Sequence, residues 1–455
     1  MNEQALPREN KLGVMPIKKL VISMALPLMI SNLVQALYNI VDSVFVAQIN
    51  ENATKAISLA FPIQLLMLAV SIGTGVGTSS LLSRKLGEKN FKDAEIAANQ
   101  GFFLAVCSYA AFLIFGLFFS EMFFASAADN AELADMGITY LRIVTCFSFG
   151  LFIQINCERI MQGTGNALWS MILQLVGAII NIILDPILIF GWLGFPAMGV
   201  AGAAIATVAG QIIAAAFAVV IIFVRVKEVK IDIRAMKPHG AMILTIYQVG
   251  LPSIIMQALN SVILTVINAI LLPVSELNVW ILGVYFKIQS FVCMPVFGLN
   301  NGIIPIIAYN YGARRRKRIT DTISFSLIAA TVIMILGTVL LCVFPHLLLS
   351  MFNPSAETIE PAARAFRIIA SSFVFSGVAI LFSAVYQALG KGYLSLIISA
   401  IRQGIVLLPA IIILMNTMGV DDIWFAYPIA EITACVLSII FMVFAYKKHI
   451  RVIPE

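Results

Sequence analysis

Apolar residues in this chain come in long runs, and the breaks between runs are short, polar and mostly charged. Runs able to cross an apolar layer of about 30 Å, roughly 20 residues each, lie at about 20–48, 55–82, 97–119, 137–160, 167–190 and 200–224. A basic linker at 225–240 follows, and six more runs lie at about 241–272, 279–308, 321–344, 363–388, 393–416 and 424–446. The pattern predicts an all-α membrane protein with twelve transmembrane helices in two six-helix lobes. It divides the chain into an N-terminal segment (1–19), an N-lobe (20–224), the linker (225–240), a C-lobe (241–446) and a tail (447–455).

The second half repeats the first. Leu26-Pro27 matches Leu251-Pro252, Ile63-Gln64 matches Ile288-Gln289, and Gly73, Gly77 and Gly87 match Gly298, Gly302 and Gly312. Arg142-Ile143 against Arg367-Ile368, and Gln162 and Gly165 against Gln387 and Gly390, keep the same offset of 225 residues. Met198-Gly199-Val200 against Met418-Gly419-Val420 continues it at 220, so one loop carries the gap. Six spans per repeat is an even number. The lobes therefore share an orientation and are related by a pseudo-two-fold axis along the membrane normal, with a cavity expected between them, which is transporter architecture.

Composition agrees and fixes a topology. The chain is 61% hydrophobic and 11% charged, with mean hydropathy +0.99, where soluble domains carry about 25% charged residues. Of 29 basic residues, 23 fall in loops on one side of the proposed spans, among them Arg8, Lys18, Lys19, Arg84, Lys85, five in the linker including Arg234, and the run Arg314 to Arg318. The positive-inside rule makes that side, and both termini, cytoplasmic in a multi-pass plasma (inner) membrane protein. The net charge of +6 is then explained by topology, and no nucleic-acid partner is expected. The 314–318 run reads as a loop anchor, with anionic lipid as the alternative. The first apolar run is far longer than a signal-peptide core and has no small-residue cleavage site behind it, so no cleavage is expected. All six cysteines lie in apolar runs without metal or redox spacing, and His239, His346 and His449 lie in loops or the tail. With no membrane-embedded histidine and no metal motif, the chain is not expected to be an enzyme.

Against this background the polar residues inside the spans stand out. Asn181 and Asp185, four apart on one helix, share a face inside an apolar run. A carboxylate at that depth costs about 2.5–3.5 kcal/mol on insertion scales, so function is the default reading and a neutral Asp185 capping a kink at Pro186 the alternative. The repeat tests this: Asp42, Asn181, Asp185 and Thr207 correspond to Ile267, Val406, Ala410 and Tyr427, so the site belongs to the first half alone. The four residues sit roughly 8–14 Å below the outer edge of their spans at 1.5 Å per residue. Gln35, Tyr38 and Asn39 continue Asp42's stripe, Gln174 lies on the face of Asn181, and Gln211 on that of Thr207. These residues, with Met256, Gln257 and Asn260 of the seventh run, are candidates for lining a substrate cavity. Two carboxylates, an amide oxygen and a hydroxyl suit a hard cation such as Na⁺, and the same pair of acids could hold a proton. Pro27, Pro186 and Glu158 are candidate gating elements; Lys287 and Arg402 could bond helix ends or each other, with Glu431 a possible partner for either, and their roles are left open.

From about residue 15 to 450 the chain resembles a multidrug and toxic compound extrusion (MATE) transporter. The likeness rests on Leu26-Pro27, Asp42, Ser83-Arg84-Lys85-Leu86-Gly87, Gln162-Gly163-Thr164-Gly165 and Asn181-x3-Asp185-Pro186. It implies the prokaryotic branch with a first-lobe cation site, whose ligands fall here on Asp42, Asn181, Asp185 and Thr207. It further implies efflux of amphipathic, often cationic compounds by exchange for Na⁺ or H⁺ through alternating access. No cofactor is implied beyond the coupling ion, and a monomer is expected. The branch with acids in the seventh and tenth spans is not matched, since the seventh run has Gln257, Asn260, Ser261 and Asn268, and the tenth has no acid. The rival reading is a flippase for lipid-linked precursors or polysaccharides, which would need a strongly basic cavity.

Overall fold

The computed structural model describes residues 10–232, 236–352 and 354–454; Arg8 and Arg234, counted above among the cytoplasmic cations, lie outside the described residues. All described elements are helical. Ten helices are long and apolar enough to span: Ile17–Ala47, Glu51–Gly87, Phe91–Phe118, Ala167–Phe190, Val200–Arg225, Gly240–Leu271, Glu276–Gly312, Arg316–Val343, Gly392–Thr417 and Val420–Ile450. Two more spans are bent pairs, Ala131–Cys146 with Phe149–Gly163 at 44°, and Glu357–Ala370 with Phe373–Ala388 at 46°. With each pair taken as one span the total is twelve.

The bends depart from the single runs expected at 137–160 and 363–388. At each break serine hydroxyls donate back to carbonyls of the preceding turn, Ser148 to Thr145 at 2.7 Å and Ser372 to Ile369 at 2.7 Å. Such bonds compete with the helical ladder and bend it. Pro27 and Pro186, the candidate gating prolines, lie inside the helices Ile17–Ala47 and Ala167–Phe190.

The internal repeat extends to the backbone. The second and eighth spans are each 37 residues long, and each is capped by the residue before it, Asn50 accepting from the Ala53 N–H and Ser275 from the Asn278 N–H. The third and ninth spans are each 28 residues. Lys89 and Arg314 adopt left-handed φ of 58° and 54°, as do Gly165 and Gly390 at 93° and 77°. The eleventh span departs from this, Ile401–Leu407 being π-helical where the equivalent fifth span is a regular α-helix.

The lobes meet at the end that carries the basic loops. There glycines let backbones touch: a Cβ on Gly87 would lie 1.9 Å from the Tyr309 carbonyl oxygen, and one on Gly312 would lie 2.1 Å from that of Arg84. Gly298 and Gly302 press likewise on Met29 and Ala25 of the first span. Polar bonds reinforce the contact, Ser80 donating to the Gln387 carbonyl at 2.9 Å and Arg159 to the Asn301 side chain at 3.1 Å. A short helix, Lys11–Val14, is strapped across the same end. Asn10 donates to the Thr164 carbonyl of the first lobe, while Asn310, Arg315 and Arg318 of the second donate to the carbonyls of Leu12, Gly13 and Met15. Part of the 314–318 basic run thus holds the N-terminal segment. Toward the other end, Asn32 donating to the Met294 carbonyl at 3.3 Å is the outermost interlobe hydrogen bond among the described residues.

Candidate functional site

Spans five and six pack closely because small residues face each other. A Cβ on Gly202 would lie 2.4 Å from the Leu188 carbonyl oxygen, and one on Gly210 would lie 2.9 Å from that of Gly177. This brings Thr207 against Asn181, whose Nδ2 lies 3.3 Å from the Thr207 hydroxyl and 3.5 Å from Asp185 Oδ1. Turning the Asn181 amide over improves the arrangement, with donation to Asp185 Oδ2 at 3.2 Å and acceptance from the Thr207 N–H at 3.2 Å. Asp185 is fully buried and Asn181 is 3% exposed. Asp42, from the first span, lies within electrostatic reach of Asp185. Its Oδ1 is buried and has no hydrogen-bond partner among the described residues. Above the site Val46, Ile189 and Ala203 form an apolar cap, flanked by Phe45 edge-on to Phe190.

The four residues expected to form one site are therefore adjacent. Of the residues expected to line a cavity, Tyr38 lies within electrostatic reach of both carboxyls, with Gln35 beside it. Gln174 lies deeper, bonded to Ser31 and Glu158. Asn39 is exposed, and Gln211 is half-buried, neither with a side-chain hydrogen bond among the described residues. In the second lobe Met256 and Gln257 are half-buried and Asn260 bonds Gln403. Arg402 and Glu431 pair with each other at 3.1 Å, and Lys287 lies over the Phe352 ring at 5.8 Å.

Two residues of the site escaped the sequence reading. Tyr140 lies within electrostatic reach of Asp42 and Tyr38, and its hydroxyl accepts from Gln64 Nε2 at 2.8 Å. Its repeat partner is Ala365, so the comparison that singled out Asp185 could have found it. Gln64 is matched by Gln289 and gives no such signal.

The MatE family profile matches residues 27–187 and again 252–412, so both ends of the second match are displaced by the repeat offset of 225. The chain belongs to the MATE family. Among curated MATE-like relatives, the multidrug export protein MepA of Staphylococcus aureus (strain MSSA476) is 26% identical over 438 residues, covering 96% of each chain. MepA of Staphylococcus haemolyticus (strain JCSC1435) is 27% identical over 435 residues, 95% of each. A solved multidrug resistance MATE transporter of the MOP superfamily, in its outward-facing conformation, matches with TM-score 0.90 and 25% identity, covering 98% of this chain and 100% of its own. This MATE protein is thus a multi-pass membrane transporter of a multidrug efflux family and not an enzyme.

Proposed function

We propose that this transporter exports amphipathic, often cationic organic compounds by antiport with Na⁺ or H⁺, and that the coupling ion binds at Asp42, Asn181, Asp185 and Thr207. The observation that carries the reading is the buried Asp42 Oδ1, without a hydrogen-bond partner among the described residues and within electrostatic reach of Asp185, with no basic group among the described residues acting on either carboxyl. Two carboxylates about 4 Å apart repel by about 4 kcal/mol at an effective dielectric constant of 20. The pair is therefore stable only with a proton or a cation between the two groups, and the Thr207 hydroxyl and Asn181 amide complete an oxygen-rich set for Na⁺.

The sealed basic end supports reading this conformation as outward-facing, with basic loops and both termini in the cytoplasm. Ion binding neutralises the site when the lobes are parted on the outer side and favours release of a cationic drug. Ion loss to the cytoplasm restores the charge that attracts the next. The cavity candidates Gln35, Tyr38 and Gln174 line the first lobe toward the cleft, and Pro27 and Pro186 are the points where the first and fifth spans can flex. The lobe boundaries 20–224 and 241–446, and a monomeric state, belong to the same proposal. The flippase alternative is disfavoured by the second lobe, where Glu431 already neutralises Arg402. The test is drug uptake into proteoliposomes under imposed Na⁺ or pH gradients. Accumulation driven by either gradient, and lost in Asp185→Asn, is expected.

A further inference from the structure

The polar groups of the first lobe do not end at the Asp42–Asp185 pair. Glu158, on the fourth span, is 3% exposed. Its Oε1 accepts from Gln154 Nε2 at 3.0 Å and its Oε2 from Gln174 Nε2 at 2.8 Å, while the Gln174 oxygen accepts from the Ser31 hydroxyl. The Gln154 amide also lies against Gly177, one turn before Asn181, with Gly210 packed on both. Side-chain hydrogen bonds thus join Glu158 to Gln154, Gln174 and Ser31, and among the described residues none continues from there to Asn181 or Asp185. Gln174 and Asp185 are eleven residues apart on the fifth span, about 16 Å at 1.5 Å per residue, too far for Glu158 to be part of the outer pair. The repeat partners of Gln154, Glu158 and Gln174 are Ala379, Ser383 and Ser399, so this arrangement too belongs to the first lobe alone.

The surroundings of Glu158 select its ligand. Both carboxylate oxygens meet amide N–H donors, and the Gln174 amide oxygen is engaged by Ser31. A metal cation needs several converging oxygens, whereas the amides here present N–H groups to the carboxylate; a proton needs only one carboxylate oxygen and a rotated amide to receive the new O–H. Among the described residues Arg159 is the charged group within reach of Glu158, and Cys157 the neighbouring thiol; the first and fifth spans contribute Ser31 and Gln174, which do not titrate. The Arg159 guanidinium donates instead to Gln162 and Asn301, at 3.1 Å each. Glu158 is thus a buried carboxyl without a bonded counterion, beside the interlobe seal.

We propose that Glu158 is a second proton-binding site of the first lobe, exchanging its proton with the cytoplasm when the seal beside it opens. The proposal rests on the outer pair being the ion-entry site, and it makes the proton the coupling ion. The step is a proton exchange with cytoplasmic water: an O–H of hydronium breaks as one forms on the Glu158 carboxyl, and the reverse happens on release, with no other bond changed.

The test uses the full chain in proteoliposomes, with ethidium as probe, under a pH gradient without Na⁺, a Na⁺ gradient at uniform pH, or neither gradient. Glu158→Gln should lose at least tenfold in pH-driven accumulation while gradient-free ethidium exchange and ethidium Kd stay within twofold of wild type; Glu158→Asp should recover part of the loss. Wild-type pH-driven accumulation in Glu158→Gln overturns the proposal. So does a wild type driven by Na⁺ alone, or an equal loss in gradient-free exchange, which would mark a structural role. If Asp185→Asn keeps full gradient-driven transport, the outer-site reading fails, whatever Glu158→Gln does. Should Glu158→Gln not reach the membrane, Gln174→Met removes one donor from the carboxylate and should move the pH midpoint of accumulation upward; an unmoved midpoint overturns the proposal.

Discussion

Placing alanine at both Gly87 and Gly312 should unlock the sealed end of the transporter. Each new Cβ would lie about 2 Å from a carbonyl oxygen of the other lobe, 1.9 Å at Gly87 and 2.1 Å at Gly312. A carbon–oxygen contact needs more than 3 Å, so the lobes must retreat by over 1 Å at two points related by the repeat. Overpacking of this kind costs about 1–3 kcal/mol per site, whereas alanine in an exposed helix is better than glycine by about 1 kcal/mol. The penalty falls on the sealed state alone, so each substitution should shift the sealed-to-parted ratio by about 5- to 150-fold. Spin labels on cysteines replacing Lys92 and Lys317, in a background lacking the six native cysteines, report the separation by pulsed electron resonance. The double variant should gain a longer-distance population. Gly283→Ala, where nothing lies within 4 Å of the added carbon, should leave the distribution unchanged. An unchanged distribution in the Gly87→Ala/Gly312→Ala protein would refute the view that these contacts form the seal.

Other predictions concern the site and the topology. Asp185→Asn should abolish active efflux while Ala410→Ser, at the repeat-equivalent position, leaves it near normal; equal damage at matched expression would contradict the lobe asymmetry. Thr207→Val removes a hydroxyl 3.3 Å from the Asn181 amide and should weaken ion binding by about 2- to 12-fold, the equivalent of about 0.5–1.5 kcal/mol, read by calorimetric titration. Tyr140→Phe leaves the Gln64 amide without its acceptor and should lower ion affinity without affecting insertion, read by the same titration and by expression level. Single cysteines at Lys230 and Asp421 should label from the cytoplasmic and external sides respectively, and external labelling at Lys230 would invert the topology.

Much of this was legible because the gene-level repeat gave the sequence an internal control. Span number, the 225-residue offset and the Asp42–Asn181–Asp185–Thr207 grouping follow from hydrophobic run length and helical periodicity, which need no tertiary information. The bends at Phe147–Ser148 and Ser371–Ser372 were not visible, since serine back-bonding competes with the ladder without interrupting the apolar run. Glu158 could be picked out but not interpreted, because its meaning depends on Gln174, sixteen residues away, aiming an N–H at it. Glu431 could be named as a partner for Arg402 or Lys287 but not assigned to either, because Arg402 lies in a π-helical turn and periodicity assumes a regular helix.

The central claim, that Asp42 and Asp185 couple ion binding to drug binding, is tested most directly by titrating ethidium onto the purified protein at several Na⁺ concentrations and pH values, in wild type and in Asp42→Asn. The account predicts that wild-type affinity falls as Na⁺ rises or pH falls, that drug weakens ion binding by the same factor, and that Asp42→Asn loses this response. A wild type indifferent to both ions, or an Asp42→Asn protein that responds as wild type does, would contradict it.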